Sequence, residues 1–247
     1  MGFPLMERAV YDQMAALDQR HWWYRARREV LAALIRRRAR PPAGARVLEI
    51  GCGTGHNLAM LAEFGEVDAL ELDAAARAVA QGRLGKPVMA SPLPQLKGVA
   101  RHHYDLIGAF DVIEHIADDH AAIMSIATRL KPGGKLVMTV PAHRWMWSAH
   151  DVVNHHVRRY SRGRLQRLIA DTPLRLEVIG YFNSLLFPLA VVERTLSKMR
   201  GKDEANLKLP VAPLNAALEK AFALERHAIG RVPLPPGLSL FAVASAT

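Results

Sequence analysis

From residue 46 onward, short apolar runs alternate with segments whose apolar residues recur at helical spacing. Val47, Leu48, Glu49 and Ile50 form a run of strand length that leads into Gly51, Cys52, Gly53, Thr54 and Gly55, and residues 57–64 behind it carry the helical period. A second strand is expected at 67–72, followed by an alanine-rich helix at 74–83 that the Asp73 carboxylate is placed to cap. Further apolar runs at 87–90, 104–110 and 135–140, separated by helical or turn segments, predict a mostly parallel sheet covered by helices on both faces. The fold class is therefore α/β, doubly wound.

Two helices are expected ahead of this core, at 6–17 and 30–40, the second stopped by Pro41 and Pro42. After Pro141 comes a loop rich in Trp and His, then a helix at 162–170 capped by Ser161, a strand at 174–182 and a closing strand at 238–244. Residues 183–237 exceed any ordinary turn, so they are expected to form a helical insertion that makes or covers a site. Its apolar stretch at 185–192 is about half of what a membrane span needs, which leaves a packed or lid helix and an interfacial anchor as readings.

The chain has 247 residues, half of them hydrophobic, which is globular composition with enough apolar surface for a sizeable core. Cys52 is the single cysteine, so no intramolecular disulfide or Cys-x-x-Cys site can form, and the N-terminus lacks the features of a secretory signal. A cytoplasmic location is expected, with the inner membrane surface as a variant of it. The net charge of +10 adds a constraint, because much of the excess lies in Arg20, Arg25, Arg27, Arg28, Arg36, Arg37, Arg38 and Arg40. Such a face suits nucleic acid, anionic lipid or phosphorylated small molecules, and a solvated helix surface equally well.

The glycine loop narrows the chemistry. Between a strand and a helix, residues without Cβ atoms let main-chain N–H groups approach a ligand closely. Glu71, about twenty residues on, is placed to accept hydrogen bonds from the two hydroxyls of an adenosine ribose. Gly51-x-Gly53-x-Gly55 followed by His56 departs from the dinucleotide pattern, and no Gly-Lys-Ser/Thr ending is present for a triphosphate.

Taken with Tyr104, Asp105, Leu106 and Ile107, and with Leu130, Lys131, Pro132, Gly133 and Gly134, this segment resembles the class I S-adenosylmethionine-dependent methyltransferases. His21 to Arg25, Trp147-Ser148-x-x-Asp151 and His156-x-Arg158-Arg159-Tyr160 look like the type 11 and type 12 subgroup, akin to the ubiquinone-biosynthesis O-methyltransferases. The resemblance implies a Rossmann-like seven-stranded sheet with an antiparallel last strand in a single methyltransferase domain. Within it, residues 1–44 would be a helical cap, 45–182 the cofactor-binding core, 183–237 the insertion covering substrate, and 238–247 the closing strand. It also implies S-adenosylmethionine as cofactor, leaving as S-adenosylhomocysteine. The expected contacts are Glu49, Gly51, Cys52, Gly53, Thr54 and Gly55 around the methionine portion and Glu71 on the ribose, with Leu72 and Ser91 near the adenine and Phe110 and Asp111 beside them.

Methyl transfer from a sulfonium needs an in-line nucleophile and a base for its proton. The candidates are His115, His143, His150, Asp151 and His156, histidine being suited to that task near neutral pH. Asp111, Glu114 and His115 would share one face of a helix, and a similar segment is associated with divalent metal in the ubiquinone O-methyltransferases. A hydrogen-bonded helix start is the alternative. Trp23, Arg25, Trp145, Trp147, Arg158, Arg159 and Tyr160 are candidate substrate contacts, set against packing and surface ion pairs. The expected reaction is methyl transfer to oxygen on a small-molecule or lipid-linked acceptor. N- or C-methylation and a basic nucleic-acid-binding module are the alternatives, the last without a recognition motif.

Overall fold

A computed structural model describes residues 8–199 and 209–247. Residues 6 and 7 of the first expected helix, and 200–208 of the expected insertion, lie outside the described residues. Helix α1 spans Arg8–Leu17 and α2 spans Trp22–Leu34, running on into a π turn at Ile35–Ala39. The second helix thus starts eight residues before the expected position. His21 caps it, its imidazole accepting from the Trp23 N–H, and the buried face includes Tyr24, Ala26, Arg27, Val30, Leu31 and Leu34. An arginine on the buried face breaks the apolar period, which is why the sequence pattern places the helix start too late.

The sheet comprises β1 (Ala45–Ile50), β2 (Gly65–Leu70), β3 (Tyr104–Phe110), β4 (Leu130–Pro141), β5 (Leu174–Phe182) and β6 (Ser239–Ala246), in the order β2-β1-β3-β4-β6-β5. The first four are parallel neighbours, and β6 lies antiparallel between β4 and β5. This is a Rossmann-like sheet with an antiparallel last strand, but of six strands among the described residues, not the expected seven. The missing strand is residues 87–90, which make a single parallel bridge, Met89 to Leu70. Pro87 and Pro92 bracket that segment, and neither can donate to a ladder. Glu71 also falls just beyond β2, although its N–H still pairs with the Met89 carbonyl at 3.0 Å.

Alternate residues of the strands feed two cores. Leu48, Ile107, Leu136, Met138 and Ala242 pack on one face with Ile123 and Ile126 of α5 (Asp119–Ala127) and Leu165 and Ile169 of α7 (Arg162–Ala170). Val47, Leu106, Val137 and Val243 pack on the other with Val30, Leu31 and Leu34 of α2 and Phe222 of α9 (Ala212–Ala223). The expected caps are present on two helices. Asp73 accepts from the Ala75 and Ala76 N–H groups at the start of α4 (Ala74–Leu84), and Ser161 accepts from Arg164 at the start of α7. Behind the glycine loop, α3 is one turn, Leu58–Leu61, shorter than the expected 57–64, and the Asn57 amide donates to Glu49 instead of capping it. Gly55 sits at φ +83° with Leu58 and Ala80 where a Cβ would be, so the turn admits only glycine.

Much of the early arginine excess is paired within the chain. Arg25 pairs with Glu219, Arg27 with Asp111 and Arg36 with Glu63, while Arg37 and Arg38 donate to the carbonyls of Arg226, Ile229 and Gly230. Of these, Arg25, Arg37 and Arg38 fasten α2 and its π turn to the C-terminal helical segment. Helices α6 (Ala149–Val153) and α8 (Phe187–Met199) complete the described elements on the side where the parallel strands end.

Candidate active site

At the carboxyl ends of the parallel strands lies a cavity of about 800 Å³. Gly51, Cys52 and Gly53 form one wall, with Glu71, Leu72, Ser91 and Phe110 continuing it. The Glu71 carboxylate accepts from the N–H groups of Gly53 and Asp73, each at 2.8 Å, and from the Tyr11 hydroxyl of α1. Burial raises its pKa against these bonds. It is thus oriented between loop and helix, where a ribose diol would meet it. Three expected contacts lie behind this wall. Glu49 is bonded by Asn57 and raised by burial to about 8, Thr54 donates to the buried Asp18, and Gly55 packs on α4. Burial likewise raises the Cys52 thiol, which leaves it a small wall residue without thiolate character.

The floor carries a buried ion pair absent from the sequence expectations. Arg27, 2% exposed, donates to Asp111 and to the Thr139 hydroxyl at 2.7 Å each, and lies over the Trp23 ring. Asp111 also accepts from Thr139, at 2.9 Å, so its carboxylate is taken up by Arg27 and Thr139 and is not among the grouped ligand atoms. That corrects the expected set. Asp111 sits at φ +55° before a single 3-10 turn at Ile113–His115, and no helix lines it up with Glu114 and His115.

His156 takes its place. Glu114, His115 and His156 offer ligand atoms that all lie within 4.8 Å of one another. The chain arrives there because the Val157 N–H bonds the Glu114 carbonyl and Arg158 donates to the carbonyls of Ile116 and Ala117. Asp151, buried in the first turn of α6, accepts from His156 Nδ1 and Arg159 Nε at 2.8 Å each. Burial would raise the Asp151 carboxyl, but those two donors hold it well below the carboxylate range. The dyad fixes one His156 nitrogen and leaves the other facing the cluster. Burial and the neighbouring His156 ring lower His115 to about 4, and burial together with Asp111 raises Glu114 well above its ordinary value. Both Glu114 oxygens are buried without a partner.

His115, His150 and His156 therefore line the cavity, with Trp23 and Arg159. His143 does not. It is stacked between Tyr181 and Phe187. Arg25 and Arg158 are held by Glu219 and Asp119, Tyr160 is fully buried with its hydroxyl on Asp119, and Trp145 is exposed. Trp147 lies off the cavity wall as well. Further wall comes from residues to which the sequence assigns no role, among them Met14 of α1, His56, and Glu193, Arg194 and Ser197 of α8.

His56 yields a stability prediction. Its ring nitrogens are buried without partners beneath Tyr24, and burial with the Arg27, Arg28 and Arg83 charges lowers its pKa to about 3. Between that value and about 6.5 the unfolded chain binds the extra proton. Stability is complete above this window and falls with acidification by about 1.4 kcal/mol per pH unit for this group. Thermal melts of His56→Gln across pH 4–6 are expected to show a slope shallower by one proton; parallel slopes would contradict the assignment.

The methyltransferase-domain family matches residues 22–177, more than half of the chain, and the protein belongs to that family. It is a member of the class I S-adenosylmethionine-dependent methyltransferases of the type 11 and type 12 group. Among curated relatives, a ubiquinone biosynthesis O-methyltransferase of Xanthomonas axonopodis pv. citri is 33% identical over 142 residues, which are 52% of this chain and 59% of that enzyme. The chain thus spans about three-fifths of that relative's length. Among solved structures, geranyl diphosphate C-methyltransferase of Streptomyces coelicolor A3(2) is 16% identical with a TM-score of 0.58, covering 100% of this chain and 92% of that one. Phosphoethanolamine N-methyltransferase 2 of Haemonchus contortus is 20% identical with a TM-score of 0.57, covering 87% and 51%. Both likenesses concern the fold.

Proposed function

We propose that this protein transfers a methyl group from S-adenosylmethionine to an oxygen atom of a small-molecule or lipid-linked acceptor. The observation that carries this reading is the shared cavity: the glycine wall and Glu71 at one end, the His156–Asp151 dyad at the other. The solved Haemonchus enzyme is described in complex with S-adenosylmethionine and the Streptomyces enzyme with S-adenosylhomocysteine, which supports the same cofactor here. Gly51 and Gly53 present main chain to the methionine portion, and Glu71 takes the ribose hydroxyls. His156, held by Asp151 through Nδ1, accepts the acceptor hydroxyl's proton at its other nitrogen as oxygen attacks the methyl carbon. Bound there, S-adenosylmethionine would supply an electrophilic methyl group whose carbon–sulfur electron pair would remain on the departing sulfur. Asp151 stabilises the resulting imidazolium.

Mass spectrometry of products formed with methyl-labelled S-adenosylmethionine, from a panel of phenol, catechol, carboxylate and amine acceptors, tests the acceptor atom. Label on oxygen is expected; label confined to nitrogen or carbon overturns the oxygen reading.

A second reading rests on the unpartnered Glu114 carboxylate. Glu114, His115 and His156 fit a divalent cation of the first transition row by donor chemistry, and Asp151 behind His156 is the usual orienting partner of a ligating imidazole. A cation bound there would acidify an acceptor hydroxyl, and His156 would then be a ligand rather than the base. Mn²⁺ or Zn²⁺ is expected to raise the melting temperature of the wild type but not of Glu114→Gln. Equal behaviour of the two removes this reading and leaves the dyad as base.

A further inference from the structure

Helix α8 is amphipathic in the opposite sense from an ordinary covering helix. Glu193, Arg194 and Ser197 line the cavity, Arg194 donating to the Met146 carbonyl at 2.5 Å. Leu189, Val192 and Leu196 follow one another at helical spacing and are 57%, 55% and 42% exposed. Leu185, four residues before Leu189, extends the stripe, and the exposed Trp145 ring touches Phe187 in the first turn. The one acid of α8, Glu193, accepts from Ser197 Oγ and is exposed at the rim of the cavity, one turn after Leu189. The outward row of large apolar side chains is an interaction surface, unlike scattered exposed residues.

We infer that this face of α8 seats in the headgroup boundary of an anionic lipid bilayer, the helix lying in the membrane plane. Charge and geometry select that occupant. Arg144 is exposed beside Trp145, and α8 carries Arg194 and Lys198 against a single acid, in a chain of net charge +10. Cationic surroundings with an apolar stripe and a flanking tryptophan suit a lipid interface. At 13 residues α8 is about 20 Å long, and among the described residues no helix is long and apolar enough to cross a membrane. Five side chains also supply far less than the about 800 Å² per partner of a stable protein interface. The inference stands apart from the choice of acceptor atom.

Vesicle flotation tests it, with the full chain on pure phosphatidylcholine and on an equimolar mixture with phosphatidylglycerol. The wild type is expected to float with the anionic vesicles, and Leu189→Gln/Val192→Gln/Leu196→Gln to lose at least about tenfold in partitioning. An unchanged melting temperature and S-adenosylmethionine affinity would confirm that the triple variant is folded. A second measurement avoids that variant: brominated lipids are expected to quench wild-type indole emission, and Trp145→Phe to lose most of that quenching. No flotation of the wild type, or flotation of the triple variant equal to it, overturns the inference. So does a concentration-dependent dimer that the triple substitution abolishes without vesicle binding, since a second copy would then be what covers the face.

Discussion

Replacing His156 by alanine is expected to lower kcat by about 100- to 10,000-fold while leaving the Kd for S-adenosylmethionine unchanged. The separation follows from the proposed role as base: His156 lines the cavity, and its bonded partner is Asp151 rather than any part of the glycine wall. Added imidazole should restore part of the lost rate, because the alanine leaves room for a diffusible base beside Asp151. Steady-state kinetics with calorimetry check both halves. A loss of cofactor affinity as large as the loss of kcat would show that His156 supports the pocket and is not the base.

Glu71→Ala is expected to weaken S-adenosylmethionine binding by about ten- to a hundredfold or more, each hydrogen bond to a charged group contributing about 1.5–3 kcal/mol. The carboxylate already ties the Gly53 and Asp73 N–H groups, so its removal takes away the ribose acceptor and also the brace that sets the loop. Glu71→Gln separates the two effects, since its amide oxygen can still accept from one of those N–H groups but carries no charge. Its affinity should fall between the wild type and the alanine variant. Equal affinity in all three proteins would place the ribose elsewhere.

Much of this arrangement is legible in the chain because it depends on local chemistry. The apolar run at 47–50 and the glycines behind it define β1 and its turn, Asp73 and Ser161 stand one residue ahead of the helices they cap, and residues 174–182 match β5 residue for residue. Elements set by distant partners are less visible. The early start of α2 depends on burying Arg27 against Asp111 and Thr139, 84 and 112 residues away. The seventh strand is cut to one bridge, Pro87 lacking a donor on the side where the Met89 N–H bonds Ala69.

The same division runs through the site. Glu71 and the glycine wall are recognisable from spacing, but the grouping of Glu114, His115 and His156 depends on the loop at 155–160 folding back along 114–117 through backbone bonds. Nothing in the spacing of Asp111, Glu114 and His115 reveals that Asp111 faces Arg27 instead. Trp145 and His143 carry the right chemistry in the right segment. The 3-10 turn at Arg144–Met146 nonetheless leaves one in solvent and the other in an aromatic stack. A buried arginine four residues after Trp23 on one helix was the available signal for the cavity floor, because a cation stacked on an aromatic ring at that spacing is readily packed inside.

Titration calorimetry of the wild-type chain with S-adenosylhomocysteine tests the central claim most directly. One molecule is expected to bind per chain, with affinity lost in Gly53→Val, whose new side chain would stand at φ +56° on the cavity wall. No binding at saturating ligand, or undiminished binding by that variant, would contradict the assignment of this cavity to the cofactor.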